Sequence, residues 1–284
     1  MLKQRVITAL ALLAVFLPAL FHPEPSVFAA VCLVLMAAGA WEWGRLNGCG
    51  FARAVALGVV CLVVCVALWS ANALTRPLTA LWTAAGIGWV LAGVLLLRRG
   101  VAAWSGIAPG IRIAVGLLVL VLAWLAIAQA RMTGINFLLS VFTLVWAADI
   151  GAYFCGRAWG GRWIPVRLAP SVSPGKSWEG AIGGFLAVLV LGVAWVQADG
   201  RFGATTPSLY TLLWQQGPWV FLVSLTLLAA MSIMGDLVES LVKRAAGVKD
   251  SSGLLPGHGG VLDRIDALLP TLPAAMMLSR AFQP

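Results

Sequence analysis

Residues 217–266 read GPWVFLVSLTLLAAMSIMGDLVESLVKRAAGVKDSSGLLPGHGGVLDRID. No charge interrupts 217–235, which is long enough to cross a bilayer core as a helix. The second part, 235–266, holds five of the ten acidic residues of the chain: Asp236, Glu239, Asp250, Asp263 and Asp266. Asp236, Glu239 and Lys243 recur at helical spacing, with Ser240 and Arg244 one position on, so they share one stripe. Gly247 is the expected helix stop. Lys249 to Gly260 is a glycine-rich loop that keeps backbone amides open for contact. A second helix is expected from near Val261, with Asp263 and Asp266 one turn apart. The two helices form a hairpin, in which Asp236 and Asp263 approach each other. Carboxylates from two elements, ringed by Lys and Arg beside a glycine loop, suit a magnesium ion that holds phosphates. A loop that only set membrane topology would need Lys and Arg, not five carboxylates.

Working outward, the chain has 284 residues, of which 61% are hydrophobic and 10% charged. Soluble domains carry about 25% charged residues, so an ordinary soluble domain is excluded. Nine apolar spans are expected, at roughly 4–21, 25–43, 54–71, 78–97, 112–130, 134–155, 180–198, 217–235 and 265–281. The fold class is all-α, a polytopic integral membrane helical bundle. The net charge of +9 is not gathered into an aromatic-interleaved basic face, so anionic lipid headgroups suit it better than nucleic acid. With the N-terminus inside, fifteen of the nineteen Lys and Arg residues fall in inner segments. Arg76, Arg131, Arg201 and Arg280 are the four outside, and that bias sets the N-terminus as cytoplasmic. Cys32, Cys49, Cys61, Cys65 and Cys155 show neither a disulfide framework nor zinc spacing.

Residues 1–133 carry no motif with attached chemistry and read as transmembrane scaffold or homodimer surface. Residues 134–284 read as the catalytic region. There Asp149 closes an apolar run, and a carboxylate near the end of a span is a functional candidate by default. Tyr153 and Gly156 lie on its face. Gly175-Lys176-Ser177 suggests a Walker A loop, but Pro170 stands where that motif needs its first glycine, and no strand precedes it. Lys176 remains a point charge for a phosphate. Ser173 is read as a helix N-cap with Pro174 at the first helical position.

The run Ser240-x-Val242-Lys243-Arg244-x4-Lys249-Asp250-x-Ser252-x2-Leu255-Pro256-x-His258-Gly259-Gly260-Val261-x-Asp263-Arg264-Ile265-Asp266 resembles the signature of the phosphatidate cytidylyltransferases and departs from it at no constrained position. Two upstream segments of that family also have counterparts, Asp149-Ile-Gly-Ala-Tyr153-Phe-Cys-Gly156 and Ser173-Pro-Gly-Lys176-Ser177-Trp-Glu179-Gly180. The resemblance implies transfer of a cytidylyl group from CTP to phosphatidic acid, with Mg2+ as cofactor, in a bacterial inner membrane. It implies metal ligation by Asp236, Asp263, Glu239 and Asp266, and a catalytic role for Lys243, Arg244, Lys249, His258 and Arg264. Lys176, Ser173, Ser177, Ser240, Asp149, Tyr153, Gly259 and Gly260 would contact substrate. The rival class is a polytopic transporter of an anionic substrate, which pyrophosphate release from CTP distinguishes from an enzyme. The Asp-rich run of the CDP-alcohol phosphatidyltransferases is absent.

Overall fold

The structure, a computed structural model, describes residues 2–282. They form twelve helices: α1 (Leu2–Phe21), α2 (Pro25–Leu46), α3 (Phe51–Ser70), α4 (Thr79–Arg99), α5 (Val101–Gly106), α6 (Pro109–Thr133), α7 (Ile135–Trp159), α8 (Trp178–Phe202), α9 (Leu209–Gln215), α10 (Pro218–Ala245), α11 (Leu262–Ile265) and α12 (Leu268–Phe282). In hydrocarbon every backbone N–H and C=O needs an internal partner, and only the helix supplies that within one segment. Pro25, Pro109 and Pro218 open α2, α6 and α10, where a missing N–H costs nothing. The chain passes from α6 to α7 through Gly134 alone, at φ +151, a conformation that side chains avoid.

Eight helices among the described residues are long and apolar enough to span a membrane, rather than the nine expected. The difference lies at 265–281. There the one-turn α11 breaks off before Asp266, and α12 has only 15 residues. At 1.5 Å per residue α12 is about 22 Å long, short of the ~30 Å hydrocarbon core. It packs on α4, α6 and α10 and is buried from Leu269 to Met276, so protein rather than lipid surrounds most of it.

The segments that the charge bias assigned to the inside meet at one end of the bundle. At the start of α1, Thr8 donates to the Pro256 carbonyl, 2.9 Å. Trp43, near the end of α2, donates to the Arg112 carbonyl of α6, 3.0 Å. The opposite end is closed by polar knots. Buried Arg131 donates to the Leu20 and His22 carbonyls. Asp199 accepts from Asn136, the Ser208 amide and the Thr211 hydroxyl.

The most extensive helix pair is α7 with α8. A Cβ on Gly184 would lie 2.6 Å from the Ala148 carbonyl oxygen, and one on Gly183 would lie 2.3 Å from Cys155. Small residues therefore let the two backbones approach. This seam sets the position of Asp149 against the start of α8. Gly184→Val should push the helices apart at a cost of about 1–3 kcal/mol. Thermal unfolding in detergent should show the loss, with activity falling as well. Gly200→Ala, at a site with open space around it, should leave both unchanged.

Candidate active site

α10 extends past its apolar part for nearly three turns and delivers the expected stripe. It ends as the sequence requires, with Gly247 at φ +71 and the Val248 amide donating back to the Lys243 carbonyl, 3.0 Å. The sequence reading of α8 needs correction. Ser177, not Ser173, is the N-cap: its hydroxyl accepts from the Gly180 amide, 3.1 Å, and the helix starts at Trp178. Ser173 and Pro174 lie in a turn before it, where the Ser173 amide donates to the Ala169 carbonyl, 2.8 Å. Ser177 wins because Glu179 lies in the first turn of its helix, and that carboxylate holds the incoming loop by accepting from the Trp163 and Ile164 amides, 3.0 and 2.9 Å.

Lys176 reaches across from that loop and forms an ion pair with Asp236. The Ser240 hydroxyl donates to the other Asp236 oxygen, 3.4 Å. Asp149 on α7 lies close enough to Asp236 and Lys176 to feel both charges. Asp149, Tyr153, Gly156, Lys176, Ser177 and Asp236 line one cavity of about 450 Å³. Two separated sequence motifs thus meet α10 in one place. Arg157 donates to the Tyr153 hydroxyl, 2.8 Å.

One turn further along, Lys243 forms ion pairs with both Glu239 and Asp263, 2.6 Å to the latter. The other Asp263 oxygen accepts from the Ser251 amide, the Ser251 hydroxyl and the Gly260 amide, all at 2.8 Å. Burial pushes the Asp263 carboxyl up, but Lys243 and these donors outweigh it and hold it at about 2. Asp266 behaves oppositely. Burial and then the nearby Asp236 carboxylate push it up to about 7.

Asp236 and Asp263 therefore do not face each other as a bare pair. Each is neutralised by a different lysine, and Asp149 and Asp266 are the carboxylates that stand by Asp236. Asp263 and Asp266 lie one helical turn apart, as expected: Asp266 caps the end of α11 in helical conformation, its amide donating to the Leu262 carbonyl, 3.0 Å. Among the described residues no three His, Cys, Asp or Glu side chains already form a metal cage. The donor chemistry nevertheless fits a hard cation. Asp149, Asp236, Glu239, Asp263 and Asp266 outnumber the two paired lysines. Neither Glu239 oxygen has an aligned hydrogen bond. Carboxylate oxygens with surplus negative charge are what magnesium binds.

The remaining expected residues divide. Arg244 ties the two loops together, donating to the Val172 and Val248 carbonyls at 3.5 and 3.4 Å. Lys249 and Arg264 are exposed at the same end, away from the cavity lining. His258 is half-buried in its turn, with its amide on the Leu255 carbonyl, 2.8 Å. Gly259 and Gly260 are glycines for want of room. A Cβ would meet Asp263 Oδ2 at 2.7 Å from the first, and Ser251 Oγ at 2.0 Å and Glu42 Oε1 at 2.4 Å from the second.

Glu42 is the residue that the sequence reading missed. It is fully buried near the end of α2 and receives four hydrogen bonds from the 251–262 segment. The signal was an acid between Trp41 and Trp43 in an apolar run, the same sign that singled out Asp149.

Comparison with known proteins follows the same boundaries. A sequence model of the cytidylyltransferase family matches residues 3–282. A phosphatidate cytidylyltransferase of Pseudomonas aeruginosa is 42% identical over 279 residues, covering 96% of this chain and 95% of that protein. The phosphatidate cytidylyltransferase of Haemophilus influenzae is 37% identical over 292 residues, covering 96% of each. One from Brucella suis is 44% identical over 136 residues, 48% of this chain and 44% of that protein. With α7, α8 and α10 bringing Asp149, Lys176 and Asp236 to one cavity, and a match from residue 3 to residue 282, the chain belongs to the cytidylyltransferase family.

Proposed function

We propose that the protein transfers the cytidylyl group of CTP to phosphatidic acid, giving CDP-diacylglycerol and pyrophosphate. The observation that carries this reading is the cavity at the basic end of a membrane bundle, where Asp149, Lys176 and Asp236 converge from three helices or their loops. A soluble triphosphate and a lipid phosphate can meet there without either leaving its own phase.

In the proposed step an oxygen of the phosphatidate phosphate attacks the α-phosphorus of CTP. A P–O bond forms there as the bond from the α-phosphorus to the α,β-bridging oxygen breaks, and pyrophosphate carries away that electron pair. A phosphate monoester with a second pKa of about 6 is largely dianionic near neutrality, so the nucleophile needs no general base. His258 is accordingly assigned a contact to phosphate or nucleotide. Lys176 and Lys243 hold carboxylates in the free protein. When phosphates arrive, the ammonium groups exchange an aspartate oxygen for a phosphate oxygen, and the charge at the transferring group is spread. Oxygens of Asp236 and Asp263, together with Glu239 and Asp266, are then the ligands that would hold magnesium. When bound, magnesium would neutralise the triphosphate and stabilise the leaving oxygens. Asp149 supports Lys176 from α7, and Arg244 keeps the two loops in register. Positioning and fixed charge supply the acceleration, and no covalent intermediate is required. The bacterial origin of the relatives and the basic end of the bundle support a cytoplasmic-membrane location with the site facing inward.

Labelled CTP incorporated into lipid by purified protein measures the reaction, with magnesium titrated. Asp263→Asn and Asp236→Asn should each leave less than about a tenth of the activity, a barrier increase of more than about 1.4 kcal/mol. Chelation should abolish it in the parent. Retained activity in both variants would contradict the metal role. Lys176→Met should lower the rate by about 10²-fold, the usual cost of one preorganised charge donor, while the protein remains folded in detergent. A Lys176→Met protein as fast as the parent would remove that lysine from the reaction.

A further inference from the structure

Glu42 lies in the half of the chain that bears none of the family's motifs, yet its carboxylate ends inside the signature loop. Oε1 accepts from the Ser252 hydroxyl and from the Val261 amide, 2.9 Å. Oε2 accepts from the Leu262 amide, 2.8 Å, with the Ser251 hydroxyl at 3.3 Å. All four partners are neutral donors from one segment. Val261 and Leu262 open α11, whose N-cap residue has no side-chain cap of its own. The first amides of a helix have no intrahelical acceptor, so an acid from α2 caps α11 from a distance. Gly260 leaves the space: a Cβ there would collide with Glu42 and Ser251.

The Ser251 hydroxyl also lies 2.8 Å from Asp263 Oδ2. It has one proton and stands between two carboxylates, so it can donate to only one at a time and its place is set by both Glu42 and Asp263. From these contacts we infer that Glu42 is a positioning residue for the transfer reaction. It fixes Ser251 to Leu262 so that Asp263 meets Lys243 at the right place, and it does so without touching substrate. The inference rests on the reading of this end of the bundle as the reaction centre.

The substitution that separates shape from acceptor capacity is Glu42→Gln. In either orientation its NH2 group faces a backbone N–H of α11, leaving that amide without an acceptor. CDP-diacylglycerol synthesis is measured per folded molecule, with the parent protein assayed alongside; a parent that makes no CDP-diacylglycerol overturns the functional reading itself. Expected for Glu42→Gln is a fall in kcat of at least about tenfold, with KM for CTP and phosphatidate changed less than about threefold. Gln129→Ala is the control for a merely structural role. That buried side chain bonds Trp82 and the Ala73 carbonyl in the same half of the chain, and its loss should lower the melting temperature without lowering kcat. Ser252→Ala removes one donor to Glu42 and should lower kcat by about threefold. The double variant Glu42→Gln/Ser252→Ala should lose less than the product of the two single losses, because both act through one contact. Parent-like kcat in Glu42→Gln, or losses that multiply in the double variant, overturn the inference. Should Glu42→Gln not accumulate in membranes, Ser252→Ala decides alone: a kcat equal to the parent overturns it, and the threefold loss at unchanged melting temperature supports it.

Discussion

Lys243 sits between Glu239 and Asp263, and that one ammonium lets two carboxylates share the inner end of α10. Removing one partner from a buried ion pair costs about 3–5 kcal/mol, because the other is left unmatched. Lys176, from the loop before α8, pairs with Asp236 in a more exposed setting. The acids of this end are thus held in place by cations from separate parts of the chain, and the geometry of the loops follows from where those cations must reach. Local partners then decide the state of each acid. Asp263, with Lys243 and backbone donors, is held at about 2. Three residues on, Asp266 has burial and Asp236 against it, and is pushed up to about 7. The same residue type within one turn of chain behaves oppositely because its neighbours differ in sign.

How much of this was legible in the sequence depended on whether the signal was local. The α10 stripe and its stop at Gly247 follow from helical period and glycine conformation, and both are seen. Asp149 announced itself as a charge in an apolar run, and the cavity confirms its company with Lys176 and Asp236. The N-cap of α8 was misplaced by four residues because Ser173-Pro174 and Ser177-Trp178-Glu179 both look like helix starts. What separates them is a contact from Glu179 back to Trp163 and Ile164, which no local pattern records. The span at 265–281 was apolar enough but too short as a single helix. Protein packing around α12 relieves it of the length that lipid would demand. The lysine partner of Asp236 could not be read, since Lys176, 60 residues away, competes with the metal pairing that spacing suggested.

Glu179 and Glu42 show that the two loops at this end are built alike. Each contains a tight turn closed by an isolated bridge, Ala169 to Ser173 in one and Leu255 to Gly259 in the other. Each is then anchored by a buried glutamate on a transmembrane helix that accepts from two consecutive backbone amides, Trp163 and Ile164 or Val261 and Leu262. Unpaired buried amides are costly, and each glutamate relieves two of them; Glu42 engages both of its oxygens in doing so, Glu179 only Oε1. The arrangement also transfers the rigidity of a membrane helix to a glycine-rich loop, which has little stiffness of its own. Lys176 and Asp263, the residues these loops present to α10, are therefore positioned by α8 and α2 as much as by their own segments. That is how a half of the chain without motifs of its own still holds the segment that carries Asp263.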